Sequence, residues 1–190
     1  MVKRNELINF INQTIGDDLI EKALQKDDRL NGVQFLGGDS VEKVALGVSI
    51  NEEFLQKAIK IGSNFCIFHH GLDPETYKSR FPLYSQKRLS LILKNDITII
   101  AFHYALDAHA EIGNNVTIIK KLGAKVGEPL DDEWGYTAVF EKPQDVHELA
   151  HKCRDLFEHE IFVVEGEKEK VKKIGVVSGG AKPYAETLAE

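Results

Sequence analysis

A chain of 190 residues that is 43% hydrophobic, 28% charged and 8% aromatic has the make-up of one or two globular domains, which excludes a disordered or fibrous polymer. Twenty-four Lys and Arg stand against 30 Asp and Glu; the formal net charge of −6 argues against a nucleic-acid partner, which calls for a basic surface. No apolar run approaches the ~20 residues of a membrane span. The N-terminus MVKRNELINF lacks a signal-peptide core, and Cys66 and Cys153 lie far apart in no metal-type spacing, so the chain reads as reduced and cytoplasmic, with no membrane partner.

Leu7, Ile8, Ile11 and Ile15 recur at helical spacing and Gly16 closes that first helix. A second short helix is expected through Leu19, Ile20 and Leu24, followed by the turn chemistry of DDRLNG. Strands are expected at 33–36 and 41–48, the second with Val44, Leu46 and Val48 alternating. Asn51 reads as the N-cap of a helix that carries Phe54, Leu55, Ala58 and Ile59 on one stripe and stops at Gly62. An apolar strand at 65–68 ends abruptly in two histidines; a helix over 83–94 and a strand over 97–102 follow. This alternation predicts an α/β fold whose first lobe, 1–126, is built on a mostly parallel, helix-covered sheet.

A helix over 114–122, stopped by Gly123, ends the first lobe, and the turn-rich KVGEPLDDEWG marks the boundary. The second α/β lobe, 127–190, is expected to hold a strand at 136–140 and a helix that starts at Pro143 and buries Val146, Leu149, Ala150 and Cys153. Two strands, at 161–164 and 174–177, are joined by EGEKEKVKK, which reads as a solvated hairpin tip because its lysines alternate with glutamates. Ser178-Gly179-Gly180 reads as a tight turn, and Pro183 suits the first turn of a last helix. That helix stops after about two turns, too short to be stable alone, so the second lobe is expected to be incomplete and the sequence to be part of a longer chain.

Four of the seven histidines fall between His69 and His109. FCIFHHGL places His69 and His70 directly after an apolar strand, and ITIIAFHYALDAHAEIGNN places His103, Asp107 and His109 after another. Ligands collect beyond the carboxyl ends of strands in open parallel sheets. If the two strands are neighbours, His69, His70, His103 and Asp107 converge on one rim. Adjacent residues of an extended segment point to opposite sides, so both rings reach one ion only if the chain turns at Gly71; two ions, one per histidine, are equally natural. Imidazole with carboxylate suits zinc, iron, manganese or nickel. Isolated strand-end histidines are commonly structural, and it is the two clusters at equivalent strand ends that point to metal.

His147-Glu148-Leu149-Ala150-His151 matches H-E-x-x-H, the zinc helix of metalloproteases. Arg154 and Phe157 occupy the places where a metzincin needs Gly and His, and both histidines lie beside the apolar stripe, so they read as an exposed pair one turn apart. No G-x-G-x-x-G, G-x-x-x-x-G-K-[ST] or G-x-S-x-G is present, which leaves no dinucleotide, P-loop or nucleophile-elbow signature.

The two histidine motifs resemble those of the Nif-three-like family (NGG-one interacting factor three), whose bacterial members carry the name GTP cyclohydrolase 1 type 2 homologue. DDRLNGVQF is similar to that family's turn through Asp27, Asn31, Gly32 and Gln34, with Val33 where leucine is usual, and the terminal VVSGGA resembles its second glycine turn. The resemblance implies a two-lobed α/β subunit, a ring-shaped hexamer, and a dinuclear centre with two divalent metal ions per subunit. It implies His69, His70 and Asp107 as metal ligands, with His103 lining the site as a catalytic, substrate-facing residue. Tyr104 and Ser49 depart from the family's usual threonine and aspartate, and the sequence ends before the histidine and glutamate that complete the family's centre. The implied function is a dinuclear-metal-dependent hydrolase acting on a small-molecule substrate, of the GTP cyclohydrolase type that opens a purine nucleotide ring, with His103 or His109 moving protons. Its rival is a non-enzymatic metal-binding scaffold that works through partner proteins.

Overall fold

The computed structural model describes residues 1–27, 31–73, 81–130, 134–164 and 166–180. The fold is mixed α/β, and the chain divides into two compact units, Met1–Leu106 and Asp107–Glu190.

The first unit runs β1 (Val2–Lys3), α1 (Arg4–Ile15), α2 (Asp17–Lys26), β2 (Gly32–Phe35), β3 (Ser40–Val41), β4 (Val44–Ser49), α3 (Glu52–Lys60), β5 (Phe65–His70), α4 (Leu83–Lys94) and β6 (Thr98–Ala101). Its main sheet has the order β2-β6-β5-β4. The pairs β4–β5 and β5–β6 are parallel, as expected of strands linked through helices, while β2 joins β6 antiparallel at the edge. The strand expected over 41–48 is interrupted at Glu42-Lys43. Before the break it pairs with β1; after it, with β5.

Asn51 caps α3 as expected, its Oδ1 accepting the Phe54 N–H at 2.8 Å. The apolar stripe of α3 (Leu55, Ala58) and Ile92 of α4 bury against Cys66, Phe68, Ile99 and Ala101, which alternate along β5 and β6 and so share one face of the sheet. Burial in this core pushes the Cys66 thiol up to about 11. Cys153 of the second unit is half-buried and its thiol is raised too, also by burial. The thiolate is the reactive form, and Cys66 stays protonated until the pH nears its raised value. Iodoacetamide at pH 8 is therefore expected to label Cys153 first and leave Cys66 intact in the folded chain, as read by peptide mass spectrometry.

The short helix α5 (Tyr104–Asp107) carries the boundary between the units. The second unit then runs α6 (Asn114–Leu122), β7 (Lys125–Leu130), β8 (Gly135–Asp145), α7 (Val146–Phe157) and β9 (Lys170–Val177). Its sheet, β7-β8-β9, is antiparallel. Helix α6 ends at Gly123, whose φ of 83° is the left-handed cap that glycine adopts without strain. Val116 and Ile119 of α6 bury against Tyr136 and Ala138 of β8, so this helix packs on the second sheet.

Three expectations for this unit are corrected. The KVGEPL segment read as turn is strand β7, which tolerates Pro129 because it is an edge strand with a register shift between Val126 and Pro129. Helix α7 starts after Pro143, not at it: β8 continues to Asp145, whose carboxylate accepts the N–H groups of His147 and Glu148 at 2.9 and 3.1 Å. The segment 161–164 is not a strand. Lys170 and Val171 take the pairing positions opposite Asp145 and Gln144, and Phe162 is left 92% exposed. Part of the charged joint read as a hairpin tip therefore belongs to β9. The last helix expected from Pro183 lies outside the described residues. Among those described, no helix is long and apolar enough to cross a membrane.

Asn115 ties this unit together. It is fully buried; its Nδ2 donates to the carbonyls of Asp107 (3.1 Å) and Trp134 (2.8 Å), and its Oδ1 accepts the Ser178 N–H at 2.6 Å. Asn115→Ala strands three backbone groups, each costing ~1–3 kcal/mol if left unpaired. A loss of about 3 kcal/mol or more is expected in urea unfolding; a loss under ~1 kcal/mol would show that these groups find other partners.

Candidate metal centre

The parallel strands β5 and β6 deliver the histidines. His69 and His70 are the last two residues of β5 in sequence order, and His103 lies two residues beyond β6. Backbone bonds from Phe102 N–H to the Phe68 carbonyl (3.0 Å) and from Ile50 N–H to the His70 carbonyl (2.9 Å) keep these strand ends in register. Beyond His70, Gly71 runs so close to Gln34 and Ala101 that a Cβ would collide with both. Gln34 of β2 grips the next residue from both sides, its Nε2 donating to the Leu72 carbonyl (2.8 Å) and its Oε1 accepting the Leu72 N–H (2.7 Å).

The three rings face one another. Centroids lie 4.5 Å apart for His69–His70, 4.9 Å for His69–His103 and 5.3 Å for His70–His103. All three are half-buried, and one nitrogen from each lies within 4.8 Å of the other two. Two nitrogens on one zinc are at most ~4.2 Å apart, so this spread admits one ion after a small side-chain closure, or two neighbouring ions.

Each ring is held through Nδ1. His69 Nδ1 donates to the Phe102 carbonyl at 2.9 Å. His70 Nδ1 meets Ser49 Oγ at 2.9 Å, across the β4–β5 pair that sets Ser49 beside His70. His103 Nδ1 donates to Asp27 Oδ2 at 2.9 Å. Where Nδ1 carries the proton, the lone pair falls on Nε2, and such outer partners are how proteins orient metal-binding imidazoles.

The other candidates lie in the second unit. Asp107 is buried at the end of α5, and its Oδ1 accepts from Asn114 Nδ2 (2.8 Å) and from the Ser178 hydroxyl (2.6 Å). His109 Nδ1 accepts the N–H groups of Glu111 (3.1 Å) and Ile112 (3.3 Å), which shapes the turn before α6. His147 and His151 are exposed on α7, while Val146, Leu149, Ala150 and Cys153 are half-buried, the arrangement expected of a surface pair.

Sequence reasoning matched Asp27, Asn31 and Gln34 only to a turn and recognised Ser49 only as a departure; it assigned none of them a contact. The available signal was a run of hydrogen-bonding side chains, Asp27, Asn31 and Gln34, leading into a short strand. Tyr104, the other departure, is a fully buried core side chain.

The GTP cyclohydrolase 1 type 2 homolog of Archaeoglobus fulgidus is 30% identical over 178 residues, covering 92% of this chain and 68% of the relative. That of Haemophilus influenzae is 28% identical over 195 residues, covering 97% and 73%. The solved structure of protein ybgI, of unknown function, matches with a TM-score of 0.83 at 27% identity, over 94% of this chain and 70% of that one. TTHA1606 from Thermus thermophilus shares the fold, with a TM-score of 0.81 at 24% identity over 99% and 81%. The sequence profile of one family matches residues 2–190, nearly the whole chain, and on that ground the protein belongs to the Duf34/NIF3 (NGG1p interacting factor 3) family.

Proposed function

We propose that the chain is a dinuclear-metal-dependent hydrolase that opens the ring of a purine nucleotide, in a reaction of the GTP cyclohydrolase type. The observation that carries the metal dependence is the trio His69, His70 and His103, each ring held through Nδ1 at the carboxyl end of adjacent strands. A set of imidazoles fits a borderline divalent cation such as zinc, iron or nickel, and the carboxylate proposed beside it admits manganese as well. The substrate class comes from the name that the relatives carry.

His69 and His70 are the proposed metal ligands, with Asp107 as the carboxylate ligand; Asn114 and Ser178 hold its side chain in one orientation. When bound, divalent cations supply Lewis acidity and acidify coordinated water toward a pKa of ~7. His103 stands beside both other rings and is braced from behind by a carboxylate, which suits it to accept and return a proton at Nε2. The ring-shaped hexamer belongs to the same proposal, and sedimentation velocity tests it.

The chain saturated with Zn²⁺, Mn²⁺ or Fe²⁺ is expected to release formate from GTP, and His70→Ala to abolish that release. No formate from the metal-saturated native chain would sink the hydrolase reading. If chelation then unfolded the protein, the non-enzymatic metal-binding scaffold would take its place.

A further inference from the structure

The three oxygens behind the histidines differ in chemistry. The Phe102 carbonyl is fixed backbone. The Ser49 hydroxyl is exposed and can either donate or accept. Asp27 is a carboxylate, an acceptor only, and its side chain is 1% exposed against 18% for His103. A single oxygen, Oδ2, takes the His103 Nδ1–H at 2.9 Å, the Asn31 Nδ2–H at 2.9 Å and the Tyr104 backbone N–H at 3.0 Å. Asn31 in turn accepts the N–H groups of His103 (2.8 Å) and Ala105 (3.2 Å) through Oδ1.

Most of these bonds describe a helix cap. Asp27 and Asn31 together satisfy the first N–H groups of α5, and a cap needs nothing more. The bond to the His103 ring is additional. It joins a buried acceptor to the one ring nitrogen whose protonation leaves the lone pair on Nε2.

We propose that Asp27 is a positioning residue that locks His103 in the Nδ1–H form and so presents its Nε2 lone pair to the site shared with His69 and His70. The consequence for metal binding rests on the function proposed above; the assignment of the tautomer does not. Ala at this position would remove the acceptor, so that nothing holds the proton on Nδ1 and the form with Nε2–H facing the site gains population.

The test has two readouts. Long-range ¹H–¹⁵N NMR of the metal-free chain at pH 8 should show His103 protonated at Nδ1 and not at Nε2, and Asp27→Ala should bring up the Nε2–H form. Zn²⁺ affinity, measured by chelator competition, should fall about 10-fold in Asp27→Ala, the low end of what an outer partner of a metal-binding histidine contributes, because His103 lines the site beside the two proposed histidine ligands. In a His103→Ala background the same substitution should change affinity no further, because its effect passes through that ring.

A native His103 protonated at Nε2 would overturn the proposal, and this measurement decides the matter even if Asp27→Ala does not fold. An Asp27→Ala loss of affinity that persists undiminished without His103 would also overturn it and leave Asp27 as a helix cap alone. A native chain that takes up no Zn²⁺ but shows the tautomer, and its loss in Asp27→Ala, would sink the metal-dependent function while upholding Asp27.

Discussion

His69→Ala is expected to lower the affinity of the chain for Zn²⁺ by at least about 100-fold, more than the ~10–100-fold that losing an outer partner costs, because a ligand itself is removed. His69 is the ring nearest both others, with centroids 4.5 Å from His70 and 4.9 Å from His103. Its Nδ1 is bonded to the Phe102 carbonyl, so the backbone of the neighbouring strand's end orients the ring before any ion arrives. Removing it leaves one of the two proposed histidine ligands, and affinity follows ligand count and geometry. Isothermal titration with Zn²⁺, with far-UV circular dichroism to verify folding, checks the result. An unchanged dissociation constant in a folded variant would mean that His69 is not a ligand.

Phe68→Ala is expected to cost ~3–5 kcal/mol of stability, as deletion of a buried aromatic ring does. Phe68 immediately precedes His69 but belongs to the opposite face of β5. Its ring is 2% exposed, sits in the cluster with Leu55, Ile92 and Ile99, and meets Phe54 edge-on at a centroid distance of 4.8 Å. Domains are stable by only ~5–15 kcal/mol in total, so the substitution removes a large fraction of what keeps the histidine-bearing strand in place. Urea unfolding followed by fluorescence gives the number. A loss below ~1 kcal/mol would show that α3 and α4 close over the space, contrary to the packing described. Variants still folded should bind Zn²⁺ more weakly as well, since β5 carries two of the three rings.

Phe68 and His69 also show where a sequence ceases to be informative. Helix limits were legible because they are local: Leu83–Lys94 and Asn114–Leu122 coincide with the spans read from periodicity, Gly123 and Asn51 act at the ends where they were expected, and the apolar runs before both histidine motifs are strands. The strand expected at 161–164 failed for the opposite reason. Ile161, Phe162, Val163 and Val164 have strong β-propensity, but a strand needs a partner, and Lys170 and Val171 hold the pairing positions beside Gln144 and Asp145. Propensity describes a willing surface, and the ladder decides whether it is used.

By itself the sequence determined the chemical inventory: an acidic α/β chain, strands that end in His69-His70 and lead to His103, and a helix on which His147 and His151 face solvent. Hydrophobic period and capping act over a few residues, and those few residues are adjacent in the chain. Only the tertiary structure decided which oxygen stands behind each ring, because strand pairing joins residues far apart in sequence. The parallel register of β4 and β5 puts Ser49 beside His70, and Asp27 reaches His103 across 76 positions. No local pattern encodes such a meeting; it follows from how the strands pair, and it gives each of the three histidines an oxygen partner at Nδ1.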